Sequence, residues 1–396
     1  MGDDAFAVGL GGSDPGLAGA IRDAQARASG SDIHFGKTGR QSDLRPDLVF
    51  ALVGNVQGER PAVRADGVSR GISTMSFRTA GIHHVTGIAS NPQRNLDFYA
   101  GILGLRLVKR TVNFDDPTTY HFYFGNENGS PGSILTFFPW PDARRGRQGG
   151  GQVAVTSFSI LPRSVGFWIE RLIKKRVEFE QPAARYDDER VIAFKDHEGF
   201  MGELVAHPDV SMQGGWSAAG VPAEHSIRGL YSITLWLDAN ELTGQLLTNT
   251  FGFELVREQG SIFRYASGNG GPGTIVDLRC VPGIWAGVMG AGTVHHVAFR
   301  SANEAEQLRV RSELSSLGYN VTPQLDRDYF KSIYFREPGG VLFEIATDGP
   351  GFAVDEPVDA LGQSLKLPDW LEPRRFEIEA LLPNIRIPLE LRGPNA

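Results

Sequence analysis

Val294-His295-His296-Val297-Ala298-Phe299, closed some fifty residues later by Tyr334-Phe335-Arg336-Glu337-Pro338-Gly339-Gly340-Val341-Leu342-Phe343-Glu344, is the stretch that decides the fold. The opening residues alternate and are β-branched or aromatic, which suits a half-buried strand, and a helical pattern follows from a cap at Ser301 to a stop at Gly318. Ser332 to Arg336 and Val341 to Ala346 read as two strands joined by Glu337-Pro338-Gly339-Gly340, a sequence suited to a hairpin turn. The unit is strand, helix, then strands, with a candidate metal ligand at each end.

The unit recurs four times. Gly81-Ile82-His83-His84-Val85-Thr86, Gly151-Gln152-Val153-Ala154-Val155 and Gly229-Leu230-Tyr231-Ser232-Ile233-Thr234 are the other openings. Pro131 to Phe137, Glu198 to Glu203 and Pro272 to Leu278 are the other closings. Matched in this way, the equivalent positions hold His84 and Phe137, Val155 and Glu203, Ser232 and Leu278, and His296 and Glu344. The first and fourth units together offer two His and one Glu. Two imidazoles and one carboxylate on a metal leave open positions, the set expected for a non-haem Fe(II) that activates O2. Phe137 cannot coordinate, and Glu203, whose counterparts Val155 and Ser232 carry no imidazole, reads as a remnant or a strand-edge carboxylate.

With 396 residues the chain exceeds one typical domain, and four units in two pairs fit that length. The expected fold class is α+β. Residues 1–74 form an N-terminal extension, units one and two a domain over 81–213, units three and four a domain over 226–347, and residues 348–396 a tail packed on the body. Gly214 to Arg228 reads as the domain linker. A formal charge of −7 and a pI near 5.8 argue against nucleic acid or an anionic membrane as partner. The single Cys280 excludes an intramolecular disulfide and fits a reducing, cytoplasmic setting. No run approaches the roughly 18 apolar residues that span a bilayer. The extension is rich in Gly, Ala, Asp, Ser and Arg and is expected to be disordered, as a mobile leader or a mis-called start before Met75. Asp115-Asp116-Pro117 reads as a turn rather than as metal ligands, and the Arg144 to Gly151 stretch as a polar connection without P-loop spacing. In the tail, Trp370, Leu371, Phe376, Ile378, Leu381 and Leu382 are too apolar to stay fully solvated.

Four βαβββ modules with ligands on first and last strands resemble the vicinal-oxygen-chelate superfamily of glyoxalases and extradiol dioxygenases. Gly81 to His84, Thr111 to Pro117, Tyr120 to Gly125, Arg336 to Glu344 and, in the tail, Pro350-Gly351-Phe352, Asp355-Glu356 and Leu361-Gly362 resemble the hydroquinone-type ring-cleaving dioxygenases. The resemblance implies two domains of two modules each and places iron ligands on His84, His296 and Glu344, the trio that the repeats select. Its Tyr ten residues before the Glu falls on Tyr334. Where catechol-cleaving members place an acid/base His, this chain has Arg327, as the hydroquinone branch does.

The implied activity is extradiol-type opening of a hydroquinone-type diol by O2 with Fe(II), Mn(II) being the alternative ion, in a chain that can form a homo-oligomer. Tyr334 is then a hydrogen-bonding or proton-transfer group, or else a packed strand aromatic. Thr86 shares the strand face of His84 and could touch substrate or oxygen. His83 and His295, by alternation, point to the opposite faces, and the resemblance makes them supports of the ligands; spacing alone allows a structural role. Arg327 orients a substrate oxygen, or is a surface residue in a turn with Asp326 and Asp328. A glyoxalase-like lyase or isomerase, and a metal-free binding protein, remain alternatives on this fold.

Overall fold

The computed structural model describes residues 77–391 apart from position 187 and residues 212–214. The extension 1–74 lies outside the described residues. Module one comprises β1 (Ile82–Ala89), α1 (Pro92–Leu96), β2 (Arg106–Asn113), β3 (Asp116–Gly125) and β4 (Ile134–Pro139). Module two has β5 (Gln152–Ile160), α2 (Val165–Lys175), β6 (Glu178–Phe179), β7 (Ala183–Arg185), β8 (Glu189–Lys195) and β9 (Met201–Ala206). Module three has β10 (Leu230–Leu237), α3 (Glu241–Asn249), β11 (Phe253–Gln259), β12 (Ile262–Ser267) and β13 (Ile275–Cys280). Module four has β14 (Val294–Ser301), α4 (Glu304–Ser316), β15 (Leu325–Asp326), β16 (Phe330–Arg336) and β17 (Leu342–Pro350). The cap of α4 is Asn303 rather than Ser301. Its side chain accepts from the Glu306 amide, while the Glu306 carboxylate reaches back to the Ala302 amide and the Ser301 hydroxyl.

Modules do not pair in chain order. One sheet runs β15-β16-β17-β14-β1-β4-β3-β2 and joins modules four and one; the other runs β11-β12-β13-β10-β5-β9-β8-β6 and joins modules three and two. Each sheet therefore takes one module from 81–213 and one from 226–347, so the sheets cut across that partition. The cause lies in the connections. Residues 144–150 and 285–291 lie side by side, with Arg147 N donating to Val288 O at 2.8 Å and Ala291 N to Arg144 O at 2.9 Å. Each carries the chain from one sheet to the other, whereas β9 and β10, consecutive in the chain, belong to the same sheet. Loop-closure entropy rises only slowly with length, so pairing β1 with the distant β14 costs little more than pairing near neighbours.

The glycine before each opening strand has its reason here. Gly81 and Gly292 have φ of +117° and +84°, and a Cβ on them would lie 2.4 Å from Gly273 O and 2.1 Å from Glu198 O. Each opening thus rests against the closing hairpin of a module in the other sheet.

The tail crosses the edge of module one. Lys366 N donates to Arg110 O, and the fully buried Lys109 reaches Asp355 and Glu356, each at 2.5 Å. Leu371, Ile378 and Leu382 are buried as expected, but Trp370, Phe376 and Leu381 are exposed. Helix α5 (Arg375–Leu381) is a short amphipathic turn that buries one side only.

Candidate metal centre

Strands β1 and β14 run antiparallel through the middle of the first sheet, and β17 lies parallel beside β14. In that register His84, Ala298 and Glu344 form one row across three strands, and His296 lies one same-face position along, opposite Thr86. Ala298 is small, so the flanking ligand side chains can converge over it. His84 Nε2 and His296 Nε2 are 3.3 Å apart, and Glu344 Oε2 lies 3.3 Å from the first and 2.9 Å from the second. All three residues are buried. Glu344 Oε1 accepts from Ser332 Oγ at 2.5 Å, while Oε2 is buried without a well-formed hydrogen bond.

Such an arrangement of lone pairs would repel without a cation. Donors about 2.1 Å from a metal and at right angles to each other lie about 3.0 Å apart, so the trio fits three adjacent corners of an octahedron. Among the described residues it is the one cluster of three His, Cys, Asp or Glu able to hold an ion. Burial opposes ionisation of Glu344, yet His84 and His296 beside it hold its carboxyl well below the usual range. Burial likewise lowers His296, partly offset by Glu344, and keeps a neutral imidazole available as a ligand.

His83 and His295 do not point away, as strict alternation requires. The ladder between β1 and β14 slips at both places, so that His83 and His295 are the extra residues of two β-bulges and turn toward their neighbours. His83 Nδ1 lies 2.9 Å from His84 Nδ1, and His295 Nδ1 lies 2.7 Å from His296 Nδ1. A ligand that offers Nε2 to a metal carries its proton on Nδ1 and donates it to the neighbour. The pairs therefore orient both ligand rings. Burial lowers His83 and His295 well below an ordinary imidazole, which keeps them neutral acceptors.

The register also corrects the closing position of module one. Glu344 pairs with Ala298, two residues after His296; the residue paired with Thr86, two after His84, is Thr136 and not Phe137. Phe137 packs on Tyr99 and Phe200 in the core. By the same rule Asp277, opposite Thr234, replaces Leu278 in module three. The second sheet thus has carboxylates at both closing positions, but Arg264 grips Asp277 at 2.8 Å and Arg185 reaches Glu203 at 2.8 Å, so cationic side chains stand against them. Ser157 also donates to Glu203. Glu203 is in neither case part of the trio.

A cavity of about 420 Å³ opens onto His296, walled by Ile88, Phe138, Trp140, Met289 and Leu342, with Asn113, Asp115, Arg327 and Tyr334 as polar groups. The paired connections supply its rim through Arg144 and Gly290. A narrower recess continues past His84, His121 and Tyr123. Arg327 is not a surface residue of the Asp326 to Asp328 turn. Its side chain is 15 % exposed, donates to Asp115 Oδ2 at 3.2 Å and lies 5.6 Å from the Tyr334 ring centre. Although burial opposes the charge, Tyr334 and Asp115 hold the guanidinium firmly protonated. Tyr334 stands edge-on to His296 with 5.7 Å between ring centres. Burial and then Glu344 raise its phenol, so it is a proton donor at neutral pH. Thr86 accepts from Thr136 Oγ1 at 2.9 Å. Asp115 does lie in a turn, with its amide bonded to Asn113 Oδ1, but β3 already begins at Asp116. Asn113, Asp115 and His121 were not singled out as site residues, although all three fall within stretches that carry the family resemblance.

The sequence matches the family described as the Glyoxalase/Bleomycin resistance protein/Dioxygenase superfamily over residues 81–204 and 245–345, and the chain belongs to it. It is 46% identical over 318 residues to MhqO of Bacillus subtilis, provisionally named a ring-cleaving dioxygenase, across 80% of this chain and 99% of that protein. It is 35% identical over 309 residues to the chlorohydroquinone/hydroquinone 1,2-dioxygenase of Sphingobium indicum, across 76% of this chain and 95% of that protein. A crystal structure of a provisionally assigned Bacillus subtilis dioxygenase superposes with a TM-score of 0.75 at 46% identity, covering 79% of this chain and 99% of that one. Glyoxalase I from Zea mays, 16% identical with a TM-score of 0.50 over 68% of this chain and 92% of its own, shares the fold.

Proposed function

We propose that this chain is an Fe(II)-dependent, extradiol-type dioxygenase that opens a hydroquinone-type aromatic diol with O2, Mn(II) being the alternative ion. The observation that carries the proposal is the buried His84, His296 and Glu344 trio, whose His296 lines a largely apolar cavity and whose His84 lines the recess beside it, with the Arg327 guanidinium facing both spaces. The similarity to a chlorohydroquinone/hydroquinone 1,2-dioxygenase supports the substrate class.

When bound, the ferrous ion would supply the redox chemistry that lets O2 react with an aromatic ring, and three protein ligands leave it open positions. The chain's side chains do the rest. Phe138, Trp140 and Leu342 give the space an apolar wall suited to a flat ring. Arg327, aimed by Asp115, holds a remote substrate oxygen. It cannot accept a proton, because a guanidinium stays charged, so its part is orientation and stabilisation of developing negative charge. A para-diol can place one hydroxyl at the trio, which makes such an anchor matter more than it would for a chelating catechol. Tyr334 donates a hydrogen bond beside His296. His83 and His295 hold the ligand rings in their tautomers, and Thr86 lies next to the reacting face.

A glyoxalase-like reading loses support at Thr136, which offers a hydroxyl where a fourth acidic ligand would stand. Anaerobically purified protein, assayed for iron and for O2 uptake with hydroquinone and catechol series, tests the proposal. Hydroquinone-dependent uptake, with both oxygen atoms in a ring-opened product, is the expected result. Turnover without O2 consumption would favour a lyase or isomerase, and binding without metal a sequestering protein.

A further inference from the structure

Arg327 leaves an acid–base vacancy in the proposed ring cleavage. The diol must release a hydroxyl proton as it ionises, and the ring-opened product must regain one. A charged guanidinium can do neither, and Tyr334, protonated at neutral pH, can donate a proton but cannot take one.

His121 on β3 lines the recess beside His84 and His296. Its ring is clasped between Tyr123 and Phe138, with ring centres 4.0 and 4.3 Å away. Among the described residues it makes one hydrogen bond, from Nε2 to Thr136 Oγ1 at 2.8 Å, which leaves Nδ1 for a ligand. Thr136 Oγ1 is in turn 2.9 Å from Thr86 Oγ1, and both threonines are buried. These three groups form a chain that begins in the recess at His121 and ends at Thr86, which stands opposite His296 on the sheet face that carries His84.

A hydroxyl has one proton, so Thr136 accepts from one neighbour and donates to the other. Two states result. In the first, His121 Nε2–H donates to Thr136, Thr136 donates to Thr86, the Thr86 proton points onward and Nδ1 is bare. In the second, Thr86 donates to Thr136, Thr136 donates to Nε2, and Nδ1 carries the proton. Passing from the first to the second, Nδ1 gains a proton, Nε2 loses one to Thr136, Thr136 passes one to Thr86, and Thr86 releases one. No group is left charged and one proton has crossed the site.

We propose that His121, Thr136 and Thr86 form a neutral proton relay that takes the proton given up by a diol hydroxyl at His121 Nδ1 and returns one at Thr86. The inference rests on the ring-cleavage reading. Burial, followed by His84 and His296, lowers the basicity of His121 well below that of an ordinary imidazole, which favours tautomer exchange over a persistent imidazolium.

The test uses Thr136→Val, Thr136→Ser, His121→Phe and the Val/Phe double variant of the iron-loaded full chain. Thr136→Val and His121→Phe should each lower hydroquinone kcat by about 100-fold, as for loss of a general acid–base. The double variant should be no worse than either single, Thr136→Ser should recover most of the rate, iron content should be unchanged, and the solvent deuterium isotope effect on kcat should change in the impaired variants. Wild-type kcat in both singles, multiplicative losses in the double, or a Thr136→Ser variant as impaired as Thr136→Val would each overturn the relay. A second readout does not need turnover: 15N NMR of histidine-labelled protein with zinc in place of iron. There Thr136→Val should shift the balance of the His121 tautomers, and an unchanged spectrum would overturn the relay. A wild-type protein that consumes no O2 with any hydroquinone would instead sink the ring-cleavage reading, and the NMR outcome would then decide whether the hydrogen-bond chain exists.

Discussion

Removing one member of the trio at a time separates metal binding from folding, because each ligand stands on a different strand of a sheet held by its own ladder. Glu344→Gln keeps the shape of the side chain and an acceptor for Ser332, but removes the charge that faces two neutral imidazoles 2.9 and 3.3 Å away. If a site with several ligands is worth about 10–16 kcal/mol, one ligand contributes roughly 3 kcal/mol, or about two orders of magnitude in Kd. Ferrous iron at about 1,000 times Kd stabilises the wild-type fold by about 4 kcal/mol, an upward Tm shift of roughly 5 °C for a chain this long. Anaerobic thermal melts with and without Fe(II), alongside iron analysis, measure both quantities. His84→Ala, His296→Ala and Glu344→Gln should retain a cooperative melt and lose most of the iron-dependent shift. Glu203→Ala should keep it, since Glu203 is held by Ser157 and Arg185 in the other sheet. Iron retained by His84→Ala, or lost by Glu203→Ala, would refute the assignment of the centre to modules one and four.

Arg327→Ala should lower hydroquinone turnover by roughly 10- to 1,000-fold with iron content intact, by analogy with the loss of one preorganised donor; steady-state kinetics on hydroquinone and catechol series check it, and unchanged hydroquinone turnover in both Arg327→Ala and Arg327→His would rule the role out. Lys109→Met should destabilise the protein by about 3 kcal/mol in urea melts, because it strands the buried Glu356 without its cation. Asp328 has its carboxyl pushed up to about 6, first by burial and then by Asp326 and Asp355. An acid whose folded pKa is raised loses stability as pH rises from the unfolded value near 4 through about 6. Asp328→Asn should therefore be more stable than wild type at pH 8 and indistinguishable from it at pH 4, measured by thermal melts at both values; equal stability at pH 8 would refute the burial argument.

Modules and candidate ligands are legible in the sequence alone. Strand alternation, helix stops and hairpin turns are local, so each unit declares itself within about fifty residues. Four copies of one unit then made His84, His296 and Glu344 stand out against Val155, Ser232 and Glu203 at equivalent positions. Tyr334 and Arg327 were legible through the family resemblance, which places a Tyr ten residues before the Glu and an acid/base position seven residues before that Tyr.

Features that depend on how strands from distant parts of the chain lie against each other emerge only in the folded protein. Modules one and four share a sheet because the connections at 144–150 and 285–291 cross together, a pairing between two segments that neither encodes alone. The two bulges that turn His83 and His295 onto their ligand neighbours exist only where β1 meets β14, so alternation along either strand gave the opposite orientation. Ladder register likewise moved the closing position from Phe137 to Thr136, a one-residue slip that exchanges a core face for a site face. His121 lies in a stretch that resembles the family but has no repeat-matched counterpart: one histidine on an alternating strand becomes a member of the site only when β3, β4 and β1 bring His121, Thr136 and Thr86 into a single hydrogen-bonded chain.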